Sequence, residues 1–275
     1  MTKTYHTSDI EILIATMNRS NFEFLQSMFL FSGFYNFNIL IVNQTTKDTI
    51  LKSDLDTIKV INVFEKGLSK NRNLALQNAT KPLILLTDDD VVFELNFELK
   101  VIKAFNENVE HDGFRFQFLN GKGNLAKKYP REFQSKLSKL QILNTSSIEL
   151  VFKRESVLNK ALLFDVDFGL GTIFNMGEEA IFVSDAIKKG LKIGFVPEEI
   201  VSHLHISTGN RVLLSKQYFV QSAVFYRIFG KIYLFWIALK FIFDVKQKKT
   251  VWFKFIKYFN QAIKGKKAYV NHTKL

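Results

Sequence analysis

Cysteine is absent from this chain of 275 residues, and proline occurs only three times. The lack of cysteine excludes disulfide bonds and thiolate metal sites, and it fits a reducing compartment. The sequence also contains no internal repeats and no low-complexity linkers. Because 47% of the residues are apolar, the composition indicates a globular protein with a substantial core and excludes a disordered or fibrous one.

Long apolar runs are missing as well. The segment before Ile10 is polar and leads directly into a strand pattern, so it does not resemble a secretory signal. Near the C-terminus, two uncharged stretches hold ten residues, 217–226, and eight residues, 232–239. A membrane-spanning helix needs about 18 to 20 apolar residues. We therefore expect a cytoplasmic protein without a spanning helix.

Acidic residues are scarce at the C-terminal end. Residues 211–275 contain 14 Lys or Arg and one acidic residue, Asp244, whereas the preceding 210 residues carry 24 basic and 25 acidic side chains. The net charge of +12 is therefore not spread over the protein but carried by a basic tail on a nearly neutral body. This distribution argues against nucleic acid as the partner.

The basic tail is also rich in aromatic residues, which suits a membrane interface. On a helix that advances about 100° per residue, its polar and apolar residues separate onto two sides. One side carries Lys254, Lys257, Gln261 and Lys264, and the other carries Trp252, Phe255, Ile256, Phe259 and Ile263. The pattern predicts an amphipathic helix in the plane of a membrane surface. The alternative is a helix packed on the protein's own core with a solvated basic face.

Before the tail, short apolar strand patterns alternate with helical patterns. We expect strands at residues 10–15, 37–42, 58–63, 83–87, 113–119, 148–152, 192–196 and 200–206. We expect helices at residues 21–31, 71–78, 95–106 and 178–189, with Ser69 as the N-cap of the second. The β-α-β order predicts parallel strands joined by right-handed crossovers.

The strand expected at 83–87 ends in three adjacent carboxylates, Asp88, Asp89 and Asp90. Adjacent anions repel one another, so their closeness needs a compensating interaction. Hard divalent cations prefer carboxylate oxygens, and open α/β sheets bind ligands at the carboxyl ends of their strands. The trio therefore predicts a site for Mg²⁺ or Mn²⁺. The alternative is a solvated acidic turn that caps the next helix.

Three other segments carry motifs, in addition to the aspartate trio. They are residues 15–19 after the first strand, residues 67–73 at a helix start, and residues 177–179 at a later helix start. With the aspartate trio, they resemble the motifs of the family 2 nucleotide-sugar glycosyltransferases of the GT-A fold, in particular bacterial members that build surface polysaccharides. The resemblance covers roughly residues 10–210. It implies an α/β, Rossmann-like fold with a mixed, mainly parallel sheet flanked by helices, followed here by basic amphipathic helices.

The resemblance also implies roles for the acidic residues in an inverting sugar transfer. Asp88 and Asp90 resemble the family's DxD motif, so Asp90 is expected to bind the metal, and Asp88 to share the metal shell or lie near the ribose. Asp89 is expected in the nucleotide-sugar site or as a cap of the following segment. Glu179 corresponds to the catalytic base, since the attacking hydroxyl must lose its proton to a nearby carboxylate. A cation neutralises the departing diphosphate as a Lewis acid.

The remaining candidates surround these carboxylates. Nucleotide-sugar contacts are expected from Thr16, Asn18, Arg19, Lys70 and Arg72. Gly169, Gly171 and Glu178 are expected in a loop and helix start that approach the donor or acceptor. Each has a plainer interpretation: Glu178 and Glu179 complement a helix dipole, Lys70 and Arg72 are solvated helix residues, Asn18 and Arg19 only turn the chain, and the glycines are ordinary turn residues.

Two histidines share one face of the last expected strand, His203 and His205. His203 and residues 207–209 resemble a recurring segment of these bacterial transferases, which makes His203 a candidate metal ligand. The alternative is a partly exposed strand face without metal.

The chain departs from the family pattern at two places. Many members end the second strand in Asp-Asp, whereas Asn43 and Gln44 stand here. Asn43 is able to accept a hydrogen bond from a uracil or thymine imide, so a UDP- or dTDP-sugar is favoured while the nucleotide stays open. Glu179 replaces the usual Asp and lengthens the base by one methylene.

Our hypothesis from the sequence is a metal-dependent inverting transferase that moves a sugar from a nucleotide donor to a glycan. We expect its tail to bind the inner face of the plasma membrane, where a lipid-linked acceptor is held. We expect a nucleotide-sugar-binding half at residues 1–106, an acceptor-binding half at 107–210, and a membrane-associating tail at 211–275. The rivals are a nucleotidyltransferase that forms sugar nucleotides, which would need a glycine-rich phosphate loop after the first strand, and a non-catalytic membrane scaffold.

Overall fold

The computed structural model describes residues 3–203 and 213–274. Its strands, in chain order, are β1 Ile10–Met17, β2 Asn38–Gln44, β3 Ile58–Val63, β4 Leu83–Asp88, β5 Val91–Phe93, β6 Gly113–Asn120, β7 Leu150–Lys153 and β8 Ile193–His203. Its α-helices are α1 Glu23–Met28, α2 Leu68–Asn78, α3 Phe97–Glu107, α4 Lys139–Leu143, α5 Arg154–Asn159, α6 Glu178–Lys188, α7 Leu214–Phe229, α8 Tyr233–Lys246 and α9 Phe255–His272.

The described strands form one mixed sheet in the order β3-β2-β1-β4-β7-β6-β8-β5. Strands β1 to β4 run parallel to one another, and β6 runs parallel to β8. Strand β7 lies antiparallel between β4 and β6, and β5 lies antiparallel along β8 at the sheet edge. The predicted mixed, mainly parallel α/β fold flanked by helices is confirmed.

Helices cover both faces of the sheet, which explains why its central strands carry apolar residues on both sides. In β1, Ile12 and Ile14 face a cluster that includes Phe29 of the segment after α1 and Phe97 of α3. The intervening Leu13 faces the opposite cluster, with helices α2 and α6. Since successive strand residues point to opposite faces, one uncharged run supplies both cores.

Helices α7, α8 and α9 form a third core together with α6. Tyr218, Trp236 and Tyr258 from these helices share this cluster with Ile181 of α6. Helix α9 approaches α7 so closely that a Cβ at Gly265 would lie 1.9 Å from the carbonyl oxygen of Phe219. The helices after residue 213 are therefore packed on α6 and on each other. The domain boundaries at 106 and 210 stay predictions.

Several local predictions were wrong. Ser69 does not cap α2, because Gly67 is the N-cap and the Ser69 hydroxyl donates to the Phe168 carbonyl at 2.6 Å. The two strands expected near the C-terminal end of the sheet are one strand, β8, which continues through Pro197. Proline lacks an N–H, and the pairing of β8 with β6 shifts register near it. The sequence pattern of this single strand therefore looks like that of two shorter strands. Three predictions lie outside the described residues: the part of the last expected strand beyond His203, His205 within it, and the family-like segment at residues 207–209.

The predicted division of α9 into two sides is incomplete. A third side packs on the protein and contains Tyr258, Ala262, Gly265 and Tyr269. The residues assigned to the apolar side are mostly not in the core, since Trp252 is 63% exposed and Ile256 is 71% exposed. Helix α9 therefore packs on the core with one side and presents an exposed apolar strip with another, while its association with a membrane surface stays a prediction.

No helix in residues 3–203 or 213–274 combines the length and the apolar character that crossing a bilayer requires.

Candidate functional site

The carboxyl ends of β1, β2 and β4 meet at one edge of the sheet. Ala15 of β1 pairs with Asp88 of β4, and Thr16 pairs with Asn43 of β2. This edge is where ligands of open α/β sheets bind. The sequence-predicted residues of these three strands are therefore brought together.

Arg72 lies at the centre of the site. Its side chain is only 3% exposed, and its Nη2 donates to Asp88 Oδ1 and to Ser147 Oγ, both at 2.8 Å. Its Nη1 donates to Glu178 Oε1 at 3.1 Å and to Glu179 Oε1 at 3.3 Å. Helix α2 thus holds the end of β4 and the start of α6 through one guanidinium group.

The surroundings of Arg72 keep it charged. Burial lowers its pKa, but Asp88, Glu179 and Glu178 raise it more, so the pKa lies above its usual value. All these contacts are with protein groups, and the side chain is buried. Arg72 therefore connects the end of β4 with the start of α6, and its predicted nucleotide contact stays a prediction.

Glu178 and Glu179 begin α6 but differ in environment. The Glu178 side chain is 5% exposed, and its Oε2 has no hydrogen-bond partner. Burial, together with the charge of Glu179, raises the pKa of Glu178 to about 8. The Glu179 side chain is 18% exposed and lines a cavity. Of the two carboxylates, Glu179 is the one that a ligand reaches.

Gly177 sets the start of this helix. Its φ is +91°, and a Cβ there would lie 2.5 Å from Val224 Cγ2 of α7. Both the left-handed backbone and the close approach require glycine. The Gly-Glu-Glu segment is therefore fixed against α7, which places Glu178 and Glu179 beside Arg72.

Asp89 is held on the other side of the trio. Arg19 Nε donates to Asp89 Oδ2 at 2.7 Å, and the Thr16 hydroxyl donates to the same oxygen. The predicted cap of the following segment is wrong, because both contacts are with the end of β1 and the turn after it. Thr16, Arg19 and Asp89 therefore form one cluster.

Asn43 is fully buried and holds the same turn. Its Oδ1 accepts from the Arg19 backbone N–H at 3.0 Å, and its Nδ2 donates to Arg19 O at 2.9 Å and Asn62 Oδ1 at 3.0 Å. The expected contact with a nucleobase is not supported, since both amide groups are used within the protein. Asn18, exposed and with a φ of +55°, forms the turn itself.

Asp90 faces a different partner from Asp88. Strand β5 brings Val91 opposite His203 of β8, and His203 Nε2 lies 3.1 Å from Asp90 Oδ2. Asp88, by contrast, has Oδ1 bound by Arg72 and accepts from Ser147 on Oδ2 at 3.2 Å. The predicted metal set of Asp88, Asp90 and His203 is not assembled, and residues 3–203 and 213–274 contain no group of three or more carboxylates or histidines suited to one ion.

The oxygen and nitrogen donors of Asp90 and His203 nevertheless suit Mn²⁺ or Mg²⁺ chemically. Their side chains are 45% and 17% exposed, so a ligand reaches Asp90 from solvent. They supply two donors, and phosphate oxygens of a bound diphosphate are of the hard type that completes such a shell.

The loop before α6 that contains Gly169 and Gly171 contacts the start of α2. The Leu170 carbonyl accepts from the Leu68 N–H at 3.2 Å, and Gly171 lies next to Gly67. Gly169 lies next to Ser69 and Glu178. Lys70, close by, is 52% exposed and pairs with Glu65 at 2.9 Å. Its predicted nucleotide contact stays a prediction.

The residues that support this centre were missed from the sequence. Ser147, buried, bridges Arg72 and Asp88. Glu149, fully buried, pairs with Arg115 at 3.0 Å and with Lys127 at 3.2 Å. A charged residue inside an apolar strand pattern is the signal that would have pointed to Glu149.

A cavity of about 540 Å³ opens beside Glu179. The residues that line it come from the segment around α4, the start of α6, and helices α7 and α8. They are Leu140, Leu143, Asn144, Thr145, Met176, Gly177, Glu179, Ala180, Gln221, Val224, Phe225, Leu239, Lys240 and Phe243.

Comparisons with solved structures find similar folds. The crystal structure of S. aureus TarS 1-349 is 16% identical with a TM-score of 0.56, and the match covers 79% of this chain and 64% of that one. The same protein in complex with UDP-GlcNAc gives 16% identity, a TM-score of 0.56 and coverage of 79% and 66%. The crystal structure of S. aureus TarS is 17% identical with a TM-score of 0.54, and the match covers 78% of this chain and 39% of that one. The chain thus spans less than two thirds of TarS 1-349, and these likenesses show the fold.

No curated protein sequence matches the chain. The sequence does match the model of glycosyl transferase family 2 over residues 12–162, more than half of its length. The matched range contains the ends of β1, β2 and β4, together with Arg72 and Ser147. The chain therefore belongs to glycosyl transferase family 2.

Proposed function

We propose that the protein transfers a sugar from a nucleotide-sugar donor to a glycan acceptor, with inversion, in the synthesis of a cell-surface polysaccharide. The observation that carries the proposal is the link through Arg72 between Asp88, at the sheet edge where nucleotides bind, and Glu179, in the wall of a cavity. Donor and acceptor sites that share one rigid connection are what a direct displacement needs.

Glu179 is the proposed base. Its carboxylate takes the proton of the attacking hydroxyl while the oxygen forms a bond to the anomeric carbon. The bond between that carbon and the diphosphate oxygen breaks, and the nucleoside diphosphate leaves. A single displacement of this kind inverts the anomeric centre. Glu178 suits the role less well, because it is buried and its raised pKa favours the neutral acid.

A divalent cation is the proposed cofactor. Asp90 and His203 are the residues that would hold Mg²⁺ or Mn²⁺, and the cation would neutralise the charge on the departing diphosphate. Asp88 takes no direct part in this proposal, since Arg72 and Ser147 already bind it.

The donor is proposed to be a UDP-sugar, with a dTDP-sugar as the second possibility. The S. aureus TarS structures in complex with UDP and with UDP-GlcNAc support this choice at the level of the fold. The turn formed by Asn18 and Arg19 and the helix start at Gly67 are the segments proposed to surround the nucleotide.

The first test is nucleotide release from UDP-, dTDP- and GDP-sugars with and without Mn²⁺ or Mg²⁺. We expect metal-dependent release from one donor, and we expect Glu179→Gln to lower transfer by about 10²- to 10⁴-fold while the nucleotide still binds. Glu178→Gln, next to it in sequence, is the matched control and retains transfer. Formation of a sugar nucleotide from a nucleoside triphosphate would support a nucleotidyltransferase, and absence of any nucleotide binding would support a scaffold.

We further propose that the protein acts at a membrane surface, where a lipid-linked acceptor is held. Phe253 is 83% exposed and Ile256 is 71% exposed, and both lie beside the exposed basic residues Lys254 and Lys257. Apolar side chains that enter the headgroup region next to lysines suit an anionic leaflet. The location proposed is the cytoplasmic face of the plasma membrane.

Co-sedimentation with phosphatidylglycerol vesicles tests this location. We expect binding that weakens with salt, that exceeds binding to phosphatidylcholine vesicles, and that drops in Phe253→Ser/Ile256→Ser. The matched control is Leu30→Ser/Phe31→Ser, which removes two exposed apolar residues far along the chain from the tail. Equal loss in both double variants would contradict a specific role for the tail.

A further inference from the structure

The cavity beside Glu179 has two kinds of wall. Polar groups come from Asn144, Thr145, Gln221 and Glu179. The larger part is aliphatic or aromatic and contains Leu140, Leu143, Met176, Ala180, Val224, Phe225, Leu239 and Phe243. A site for an all-sugar ligand would need more hydrogen-bonding groups, because each buried hydroxyl without a partner is costly.

The polar groups in the wall have unused capacity. Gln221 Oε1 is buried without a hydrogen-bond partner, so it is available to accept from a hydroxyl. Glu179 uses Oε1 to bind Arg72. Lys240 donates to Asp244 Oδ2 at 2.6 Å, and burial lowers its pKa despite this partner. Lys240 is therefore already paired with a carboxylate. The lining residues of the cavity thus offer no unpaired positive charge that would favour a phosphate.

The apolar part of the wall leads to the protein surface. Phe243 lines the cavity and is also 45% exposed, and Ile242 beside it is 40% exposed. Leu140, which lines the cavity from α4, is 53% exposed. The cavity that contains Glu179 is therefore lined in part by apolar side chains that are also exposed at the protein surface.

We propose that this cavity binds the apolar aglycone of an amphiphilic acceptor, with the sugar hydroxyl at Glu179 and Gln221 and the hydrocarbon between α4 and α8. The assignment rests on the proposed function of Glu179 as the base. It narrows the acceptor to a glycoside with a hydrocarbon chain close to the reacting sugar. It also gives the helices after residue 213 a role in acceptor recognition as walls of the site.

Binding of n-octyl β-D-glucoside, below its micelle-forming concentration, tests the proposal by saturation-transfer NMR. Methyl β-D-glucoside carries the same sugar without the chain. We expect the octyl glycoside to bind and the methyl glycoside to bind at least tenfold more weakly. Leu239→Trp fills the cavity from α8 and Leu140→Trp fills it from α4, and each should weaken octyl glycoside binding at least tenfold.

Phe235→Trp is the matched control, since Phe235 is on α8, is 63% exposed and does not line the cavity. It should leave binding unchanged. Octyl glycoside binding that survives in both cavity variants, or that is lost in Trp252→Ala/Phe253→Ala instead, would overturn the proposal in favour of surface binding. Because Leu140 is exposed, its variant folds even if Leu239→Trp does not.

UDP binding, measured by calorimetry on the same preparations, separates this proposal from the proposed function. We expect the cavity variants to bind UDP as the native chain does. Normal UDP binding with no effect of the cavity variants on the glycoside would overturn the cavity assignment alone. A native chain that binds no nucleotide would contradict the proposed function, and the acceptor role of the cavity with it.

Discussion

Arg72 donates a hydrogen bond to Asp88 at 2.8 Å, although the two residues lie on different elements, helix α2 and the end of strand β4. The contact is buried on the arginine side and half exposed on the aspartate side. Because the same guanidinium reaches the start of α6, the position of Asp88 is coupled to the position of Glu179. The predictions below begin with this link.

Replacing Arg72 by lysine should separate charge from geometry. A lysine keeps one positive charge but lacks the planar fork that reaches Asp88, Ser147 and Glu179 together. We expect Arg72→Lys to lower kcat by about 10²-fold, since misplacement of reacting groups by about 1 Å has effects of that size. Gln77→Met, an exposed change on the same helix, should alter kcat little. Native kcat in Arg72→Lys would contradict the positioning role.

The raised pKa of Glu178 predicts how stability depends on pH. Between the ordinary carboxyl pKa and about 8, the folded state binds more protons at Glu178 than the unfolded state does. The free energy of unfolding therefore falls as pH rises through this window. Glu178→Gln removes this dependence, so its stability relative to the native chain should increase from pH 5 to pH 9. Urea unfolding at both values measures it, and a constant difference would refute the raised pKa.

Glu149 should contribute to the stability of the fold, although it does not line the cavity. It is fully buried and pairs with Arg115 at 3.0 Å. Removing one partner of a buried ion pair leaves an uncompensated charge and costs about 3 to 5 kcal/mol. We expect Glu149→Gln to lower the free energy of unfolding by about this amount, and Glu155→Gln, at an exposed position, to change it little. A loss below about 1 kcal/mol would contradict the role of this pair.

Gly265 should be essential for docking of α9. A Cβ there would meet Phe219 O at 1.9 Å and Ser222 Oγ at 2.4 Å. We expect Gly265→Ala to cost about 1 to 3 kcal/mol, as overpacked cores do, although alanine favours a helix. Lys264→Ala, one residue earlier and exposed, is the control. Thermal unfolding of both variants tests it, and equal midpoints would show that the helices separate without cost.

His203 should contribute to cation binding. We expect His203→Ala to weaken Mn²⁺ binding by at least about tenfold, in line with the effect of altered ligand environments. His272→Ala is the matched control, because His272 also lies 3.1 Å from a carboxylate, that of Asp167. Electron paramagnetic resonance measures free Mn²⁺ without any assay of activity. Equal affinities in the native chain and His203→Ala would remove His203 from the site.

The sequence by itself determined most of the order of strands and helices and the residues at the ends of β1, β2 and β4. These features depend on local signals: a run of apolar residues, a glycine at a helix start, and three aspartates directly after a strand. Such signals act between residues close in the chain, so they are readable without the fold. They were sufficient to predict the mixed α/β sheet and the family.

The tertiary structure alone decided which partners these residues have. Arg72 and Glu178 are 106 residues apart in the chain, and Arg72 and Ser147 are 75 apart. Only the insertion of β7 beside β4 and the packing of α6 on α2 bring them together. The same holds for Asn43, whose polar groups bind the turn at Arg19 instead of facing a ligand.

The cavity beside Glu179 is a further result of packing, because its walls come from four separate segments. The sides of α9 were decided in the same way. Helical periodicity separates polar from apolar residues, but it does not say which apolar residues meet another helix. Which side of a helix is buried depends on where two backbones are able to approach closely. In α9 this place is Gly265, which lies against the backbone of Phe219 in α7.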